Sequence, residues 1–470
     1  MTSAPAQRLG VVAQYALLAG PLLSMLDSSI VNIAIAPIAT EMHAELSTVQ
    51  WVTSGYMLAL GTGLALTSFL ARRFGTLRTY TIGMLAFTAA SVPCGLAPTT
   101  DVLIGARVVQ GLTGATLVPL AISMLMGSSG ASRSISPLAG MLLFLGPALG
   151  PSLGGLLIGA FGWRSIFFIN LPVGLLAVMA ARTIPTGIAP AGQRNTRLDL
   201  LGLGLLALGL FGLLFGLDRG ESNGWADPAS CLPLGAGLLL LTGYVLRSRR
   251  TPHPVLDPRI LRDRDAALSF VLCAAASVAA WSILFLLPVF LQHVQGYTAL
   301  MAGIALLPQG ILTGLGTVLG QKVADHIGIR YTVLIGFAVL VVSSLGLLTL
   351  DATTSLWVTS AILAARSASI GLVITPLLTV VNLHLASEEQ ADANTVFNVV
   401  QRIAGSLGIG LLAGYFATQT ATIGPVDALH QVAIIIAAIA ATATAVALFL
   451  PPRSSTHVRI PADRARRRID

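Results

Sequence analysis

Asp27 and Arg107 are the residues of this sequence on which chemistry can turn, because each sets an ionisable side chain in the middle of a long apolar run. Asp27 lies in Leu26-Asp27-Ser28-Ser29-Ile30-Val31-Asn32, and no other acidic residue falls in the middle of such a run. An ionised, unpaired carboxyl there costs several kcal/mol, so it must be paired, hydrated or protonated. A carboxyl that alternates between two surroundings can take up a proton in one and release it in the other. The bland reading is a carboxyl that holds one polar contact permanently. Arg107, in Arg107-Val108-Val109-Gln110-Gly111, keeps its charge and must find acceptors. Asp27 is its expected acceptor, directly or through water; the alternative is a guanidinium that snorkels or bonds backbone carbonyls. Other chemistries lack their residues. Cys94, Cys231 and Cys273 are far apart and have no metal-ligand spacing, and no His-rich cluster, nucleophile elbow or phosphate-binding glycine loop is present. An enzyme, a metal site and a cofactor are therefore not expected, and the energy source should be a gradient.

The elements that must position Asp27 and Arg107 are set by composition. Of 470 residues 55% are apolar and 10% charged, against roughly a quarter charged in soluble domains. Lipid is thus the expected solvent, and a bilayer core about 30 Å thick asks for roughly 20 apolar residues per helix. Fourteen such runs can be placed, near residues 14 to 36, 49 to 70, 79 to 97, 102 to 126, 135 to 160, 163 to 183, 198 to 217, 230 to 247, 267 to 292, 299 to 320, 331 to 350, 355 to 383, 396 to 418 and 430 to 450. The first is too long for a signal-peptide core and is expected to remain as a span. The formal charge of +8 would suggest nucleic acid in a soluble chain. Here, with both termini in the cytoplasm, most of the 27 basic residues fall in cytoplasmic segments, and the outer loops carry acids such as Glu41, Asp101, Asp227 and Asp351. Nucleic acid is therefore excluded as a partner. The basic tail at 453 to 470 reads as a solvated end, with a lipid-headgroup contact as the alternative.

Span five carries the densest pattern. Gly146, Gly150 and Gly154 recur at i, i+4 and i+8 and share a helix face, with Gly155 beside them. Pro147 and Pro151 remove backbone hydrogen bonds and bend the helix, while the glycines admit a close neighbour. A bent, smooth face suits two bundles that rock against each other. An internal repeat points the same way. Arg72-Arg73-Phe74-Gly75 follows span two, and Asp325-His326-Ile327-Gly328 follows span ten; Ala106-Arg107 and Pro119 in span four are echoed by Ala365-Arg366 and Pro376 in span twelve, roughly 250 residues on. The spacing implies a six-span bundle at 1-190, two inserted spans at 191-255, and a second six-span bundle at 256-452.

These residues resemble the fourteen-span drug:proton antiporter family of the major facilitator superfamily. Asp27 to Pro37 is similar to that family's first-span motif, Arg107 to Pro119 to its fourth-span motif, and Gly146 to Gly155 to its span-five antiporter motif. Further matches run from Gly162-Trp163-Arg164 to Asn170-Leu171-Pro172, along spans nine and ten, and from Phe397-Asn398 to Arg402 with Gly405 and Gly408. The resemblance implies an all-α integral membrane protein with the major facilitator fold, exporting hydrophobic or amphipathic small molecules in exchange for protons. It gives Asp27 and Arg107 the proton coupling, and gives Gly146, Pro147, Gly150, Pro151, Gly154 and Gly155 the sliding contact between bundles. Arg72 departs from the pattern: it stands where the family's loop carries an acid, while Arg73, Gly75 and, in the second half, Asp325 and Gly328 keep the gating-loop outline.

Polar and aromatic residues in the central spans are the candidates for a substrate cavity: Asn32, Gln110, Trp281, Phe285, Gln292 and Gln309. For each, ordinary packing is the competing reading. The partners expected are a small-molecule substrate, protons and membrane lipid, with a monomer as the default from the resemblance and the cell (plasma or inner) membrane as the location. Two rival functions stay open: a proton-coupled importer of a small metabolite, and a transporter-like receptor that moves nothing.

Overall fold

The computed structural model describes residues 11–128, 150–184, 199–223, 227–251, 263–382 and 387–452, and no strand occurs among them. The helices in chain order are α1 (Val11–Glu41), α2 (Leu46–Val49), α3 (Trp51–Phe74), α4 (Thr76–Gly95), α5 (Thr100–Gly114), α6 (Leu117–Ser128) and α7 (Gly150–Phe161). They continue with α8 (Ser165–Phe168), α9 (Asn170–Ala181), α10 (Leu200–Asn223), α11 (Pro228–Ser248), α12 (Arg264–His293) and α13 (Ala299–Ile327). The last four are α14 (Ile329–Gly346), α15 (Leu356–Asn382), α16 (Ser387–Ile423) and α17 (Pro425–Ala447).

Among the described residues, nine helical runs are long and apolar enough to cross a membrane: α1, α5 with α6, α11, α12, α13, α14, α15, α16 and α17. A tenth arises if α7 and the α8–α9 run, bent by 119° at their break, are counted as one. The fourteen runs read from the sequence are therefore met by a coarser finding, a helical membrane protein of many spans. In α3 and α4 the apolar residues are diluted by Thr53, Ser54, Thr62 and Gly63, and by Thr79, Thr81, Thr88 and Ser91. The run at 102 to 126 is broken at Ala115-Thr116, because Pro119 has no N–H to offer the Ala115 carbonyl. The ladder resumes where Leu120 donates to Thr116 O at 3.4 Å.

Within the first part of the chain α3 packs on α5, α4 on α5 and α9, and α1 on α9 and α6. In the last part α13 packs on α15, α12 on α16, and α14 on α15 and α17. The two parts meet where α3 crosses α16 and α1 crosses α12 and α13; α10 and α11 form a hairpin whose α10 touches α16 and α3. Burial ranks these positions. The apolar window of α1 is 72% buried and that of α11 only 17%, so α1 is central and α11 peripheral. Large apolar side chains such as Leu200, Leu232, Leu239, Val342 and Trp357 point outward, as expected of a surface wetted by lipid.

The repeat is visible in the backbone. Gly75 ends α3 and opens α4 at φ 89°, and Gly328 ends α13 and opens α14 at φ 93°. A side chain at either site would be strained, which is why both halves keep glycine there.

Candidate functional site

Asp27 sits deep in α1, where Ser28 and Ser29 turn their hydroxyls back onto the Met25 carbonyl and leave the carboxylate to neighbouring helices. Arg107 reaches it from α5, with Nη1 2.5 Å from Oδ2, and neither side chain has any exposed surface. The second carboxylate oxygen accepts from Gln110 Nε2 at 3.2 Å and from Asn170 Nδ2 at 2.9 Å. Both amides also donate to Ser91 Oγ, at 2.8 and 3.2 Å, and the Cys94 thiol closes the cage on Gln110 Oε1 at 3.4 Å.

Arg107 is held equally tightly. Its Nη1 also donates to Gln110 Oε1 at 2.6 Å, and its Nε donates to the Val52 carbonyl at 3.2 Å. The guanidinium lies 3.9 Å from the centroid of the Tyr56 ring and 5.7 Å from that of Phe167, a placement that favours a cation over aromatic faces. Only its Nη2 is enclosed without an acceptor. The pair is thus a neutral unit wired to α3, α4, α5, α8 and α9. Removing either charge would leave the other enclosed among groups arranged for a neutral pair.

The span-five glycines divide between two neighbours. An added Cβ at Gly150 would meet Ser29 Oγ at 1.9 Å, and one at Gly154 would meet Ile30 Cγ1 at 2.6 Å, so both glycines face α1 close to Asp27. Gly155 looks the other way, onto α13, where its Cβ would fall 2.5 Å from the Ala299 carbonyl. The backbone of Pro151 meets Gly303 in the same crossing, and Ser152 Oγ donates to the Gly303 carbonyl at 3.0 Å. Gly146 and Pro147 lie outside the described residues.

The expected cavity residues scatter. Gln110 belongs to the Asp27 cage. Asn32, buried, donates to its own helix at Ser28 O and leaves Oδ1 unmatched. Gln292 bridges to the Ile33 carbonyl at 3.1 Å, tying α12 to α1. Phe285 is wholly buried, the Gln309 side-chain Oε1 is enclosed without a partner, and Trp281 lies beside Arg402. None of them lines the cavity of about 700 Å³ that opens near Glu45 and His293, between the ends of α1, α12 and α16. At that end Glu41 joins Arg164 and the Trp163 indole. Among the described residues, hydrogen bonds that cross from the first helices to the last include Gln292 to Ile33, Ser152 to Gly303 and Ser406 to Ser54, and each of these lies in the half of the molecule nearest that end. At the opposite end Asp325 accepts from Gln321 at 3.1 Å and Arg330 holds the Leu450 carbonyl. Arg73 is partly buried, and the side chain of Arg72 lies outside the described residues.

Asn170 and Ser91 belong to the candidate site, and the sequence did not single them out. Asn170 carried a faint signal as part of Asn170-Leu171-Pro172; Ser91 carried none.

Many long apolar helices with apolar side chains facing outward, packed around a buried carboxylate–guanidinium pair, are the architecture of a multi-pass membrane protein. The chain belongs to the Major Facilitator Superfamily, whose model matches residues 17–409. It is 33% identical over 398 residues to a multidrug resistance protein B homolog of Mycobacterium tuberculosis, covering 83% of this chain and 73% of that protein. It is 30% identical to a methylenomycin A resistance protein of Streptomyces coelicolor, covering 84% of each. Its fold is similar to the inward-facing, unoccupied crystal structure of a bacterial homolog to the human lysosomal transporter Spinster, with a TM-score of 0.65 at 16% identity and coverage of 93% of this chain and 95% of that one.

Proposed function

We propose that this chain exports hydrophobic or amphipathic small molecules, drugs or an antibiotic made by the cell itself, in exchange for protons. The observation that carries the reading is the sealed Asp27–Arg107 pair, the one ion pair among the described residues with no exposure on either side. The names of the relatives, resistance proteins for multiple drugs and for methylenomycin A, support the substrate class. A proton on Asp27 would release Arg107 and loosen the contact of α1 with α5 and α9. The Gly150 and Gly154 face lies on α1 beside that carboxyl, and Gly155 transmits the shift to α13.

In this reading the molecule sits in the cell inner membrane with fourteen spans and both termini cytoplasmic. It has bundles at 1-190 and 256-452, an inserted hairpin at 191-255, and works as a monomer without a cofactor. The end closed by Gln292, Ser152 and Ser406 then faces outward, and the state described is one shut to the outside.

The direction of transport tests the proposal. Everted membrane vesicles energised with a proton gradient should accumulate dyes and antibiotics from a panel, and an uncoupler should abolish accumulation. Uptake by right-side-out vesicles instead would favour the importer, and no movement in either preparation would favour the receptor.

A further inference from the structure

α16 brings another guanidinium into the seam between the two helix sets, and this one has no acid beside it. Arg402 is partly buried; its Nη1 is enclosed without an acceptor, and among the described residues no carboxylate or carbonyl takes a hydrogen bond from it. The Trp281 ring of α12 lies beside it, 5.3 Å from guanidinium carbon to centroid. The position is at the crossing itself. A Cβ on Gly61 of α3 would touch Arg402 Cβ at 3.2 Å, Gly405 packs on Trp281 and Met57, and Ser406 donates to Ser54 of α3 at 2.8 Å.

The other deep cations differ. Arg107 is neutralised by Asp27. Arg366 is fully enclosed and spends its donors on Ser344 Oγ and the Ala279 carbonyl. Among the described side chains deep in the helices, one carboxylate therefore stands against three guanidiniums, and Arg402 is the one left partly open. An unmatched guanidinium at that depth is costly in lipid, and what lowers the cost is an anion.

We propose that Arg402, with the Trp281 ring beside it, is an anion-accepting subsite of the exporter, and that its guest is a flat aromatic compound carrying a carboxylate or phenolate. The proposal rests on the export reading and narrows its substrate class. A guanidinium offers a planar fork of N–H donors that fits a carboxylate by two parallel hydrogen bonds. The indole offers a face on which an aromatic body can stack. A cationic guest would meet the excess positive charge, and a neutral one would leave it uncompensated. The negative charge alone could come from a dissolved organic acid or from an anionic lipid headgroup, and only the acid brings a ring to stack on the indole.

The test is binding to the purified full chain in phosphatidylcholine nanodiscs, comparing 1-pyrenebutyrate with its uncharged amide by fluorescence. Wild type should bind the acid at least about tenfold more tightly, the step expected of a charge-assisted hydrogen bond. Arg402→Gln should erase that preference while amide binding stays within about twofold, which also shows the variant is folded; Arg402→Lys should keep part of it. Equal binding of the two probes, no binding of the acid, or a preference untouched by Arg402→Gln would overturn the proposal. Adding phosphatidylglycerol separates the sources: competition assigns the subsite to a lipid headgroup, and no competition assigns it to the dissolved acid. No proton gradient is applied, so a failure here is distinct from a failure of proton-coupled export, which vesicle transport reads separately.

Discussion

Opposite charges that meet inside a membrane protein cancel most of the cost that either would carry alone, and removing one partner restores that cost in full. Breaking a buried pair of this kind costs about 3 to 5 kcal/mol. Asp27→Asn should therefore lower the thermal midpoint of the purified protein, measured by fluorescence-detected size exclusion after heating. The double variant Asp27→Asn/Arg107→Gln should recover a large part of that loss while staying uncoupled. Recovery of both stability and coupling would remove the pair from the mechanism. Asn170→Leu removes one donor from Asp27 and one from Ser91, a loss of about 1 to 3 kcal/mol for a buried hydrogen bond. It should lower both the midpoint and the transport rate, more than Asn32→Leu, whose amide bonds only its own helix. Asp27 and Arg107 were legible in the sequence because charges inside apolar runs are rare and each must find a partner. Asn170 and Ser91 were not, since uncharged polar residues are common in these helices and most satisfy themselves on the preceding turn, as Thr62, Thr67 and Thr88 do.

At the scale of elements, α7 contains its own control. A methyl group at Gly155 would press on the backbone of Ala299 and Leu300 at 2.5 and 2.6 Å, where no flexible side chain can yield, whereas one at Gly159 meets nothing within 4 Å. Gly155→Ala should reduce transport by about tenfold or more, in line with the cost of overpacking a tight contact, and Gly159→Ala should leave it unchanged when initial rates are compared at equal expression. Equal effects of the two substitutions would show that the α7–α13 approach does not matter to the cycle. The glycine periodicity was readable without a structure, because spacing alone fixes the face. What the face touches was not: the same helix presents Gly150 and Gly154 to α1 and Gly155 to α13. The matched glycines at 75 and 328 were also readable, since only a turn with positive φ explains glycine at the same point in both halves. The break of the fourth run at Ala115-Thr116 was missed, although Pro119 supplies its cause.

For the whole molecule, the proposed fourteen-span topology rests on the distribution of basic residues, and the peripheral hairpin α10–α11 is the part that discriminates it from a simpler one. If both helices cross the membrane, an alkaline phosphatase reporter fused after Asn223 should be active outside the cell and one fused after Thr251 inactive. Equal activity at the two points would place the hairpin on one side and reduce the span count. Composition was enough to make lipid the solvent, but the span count depends on Thr- and Gly-diluted helices such as α3 and α4, whose apolarity is marginal even though their packing is central.

In the proposed cycle, proton movement and substrate movement share Asp27. This sharing is tested most directly by substrate-triggered proton release in everted vesicles, comparing wild type with Asp27→Asn across a panel of dyes and antibiotics, with expression matched. A transported compound should dissipate the imposed proton gradient in wild type and not in the variant; an equal response in both would overturn the role of Asp27 and place the coupling elsewhere in the molecule.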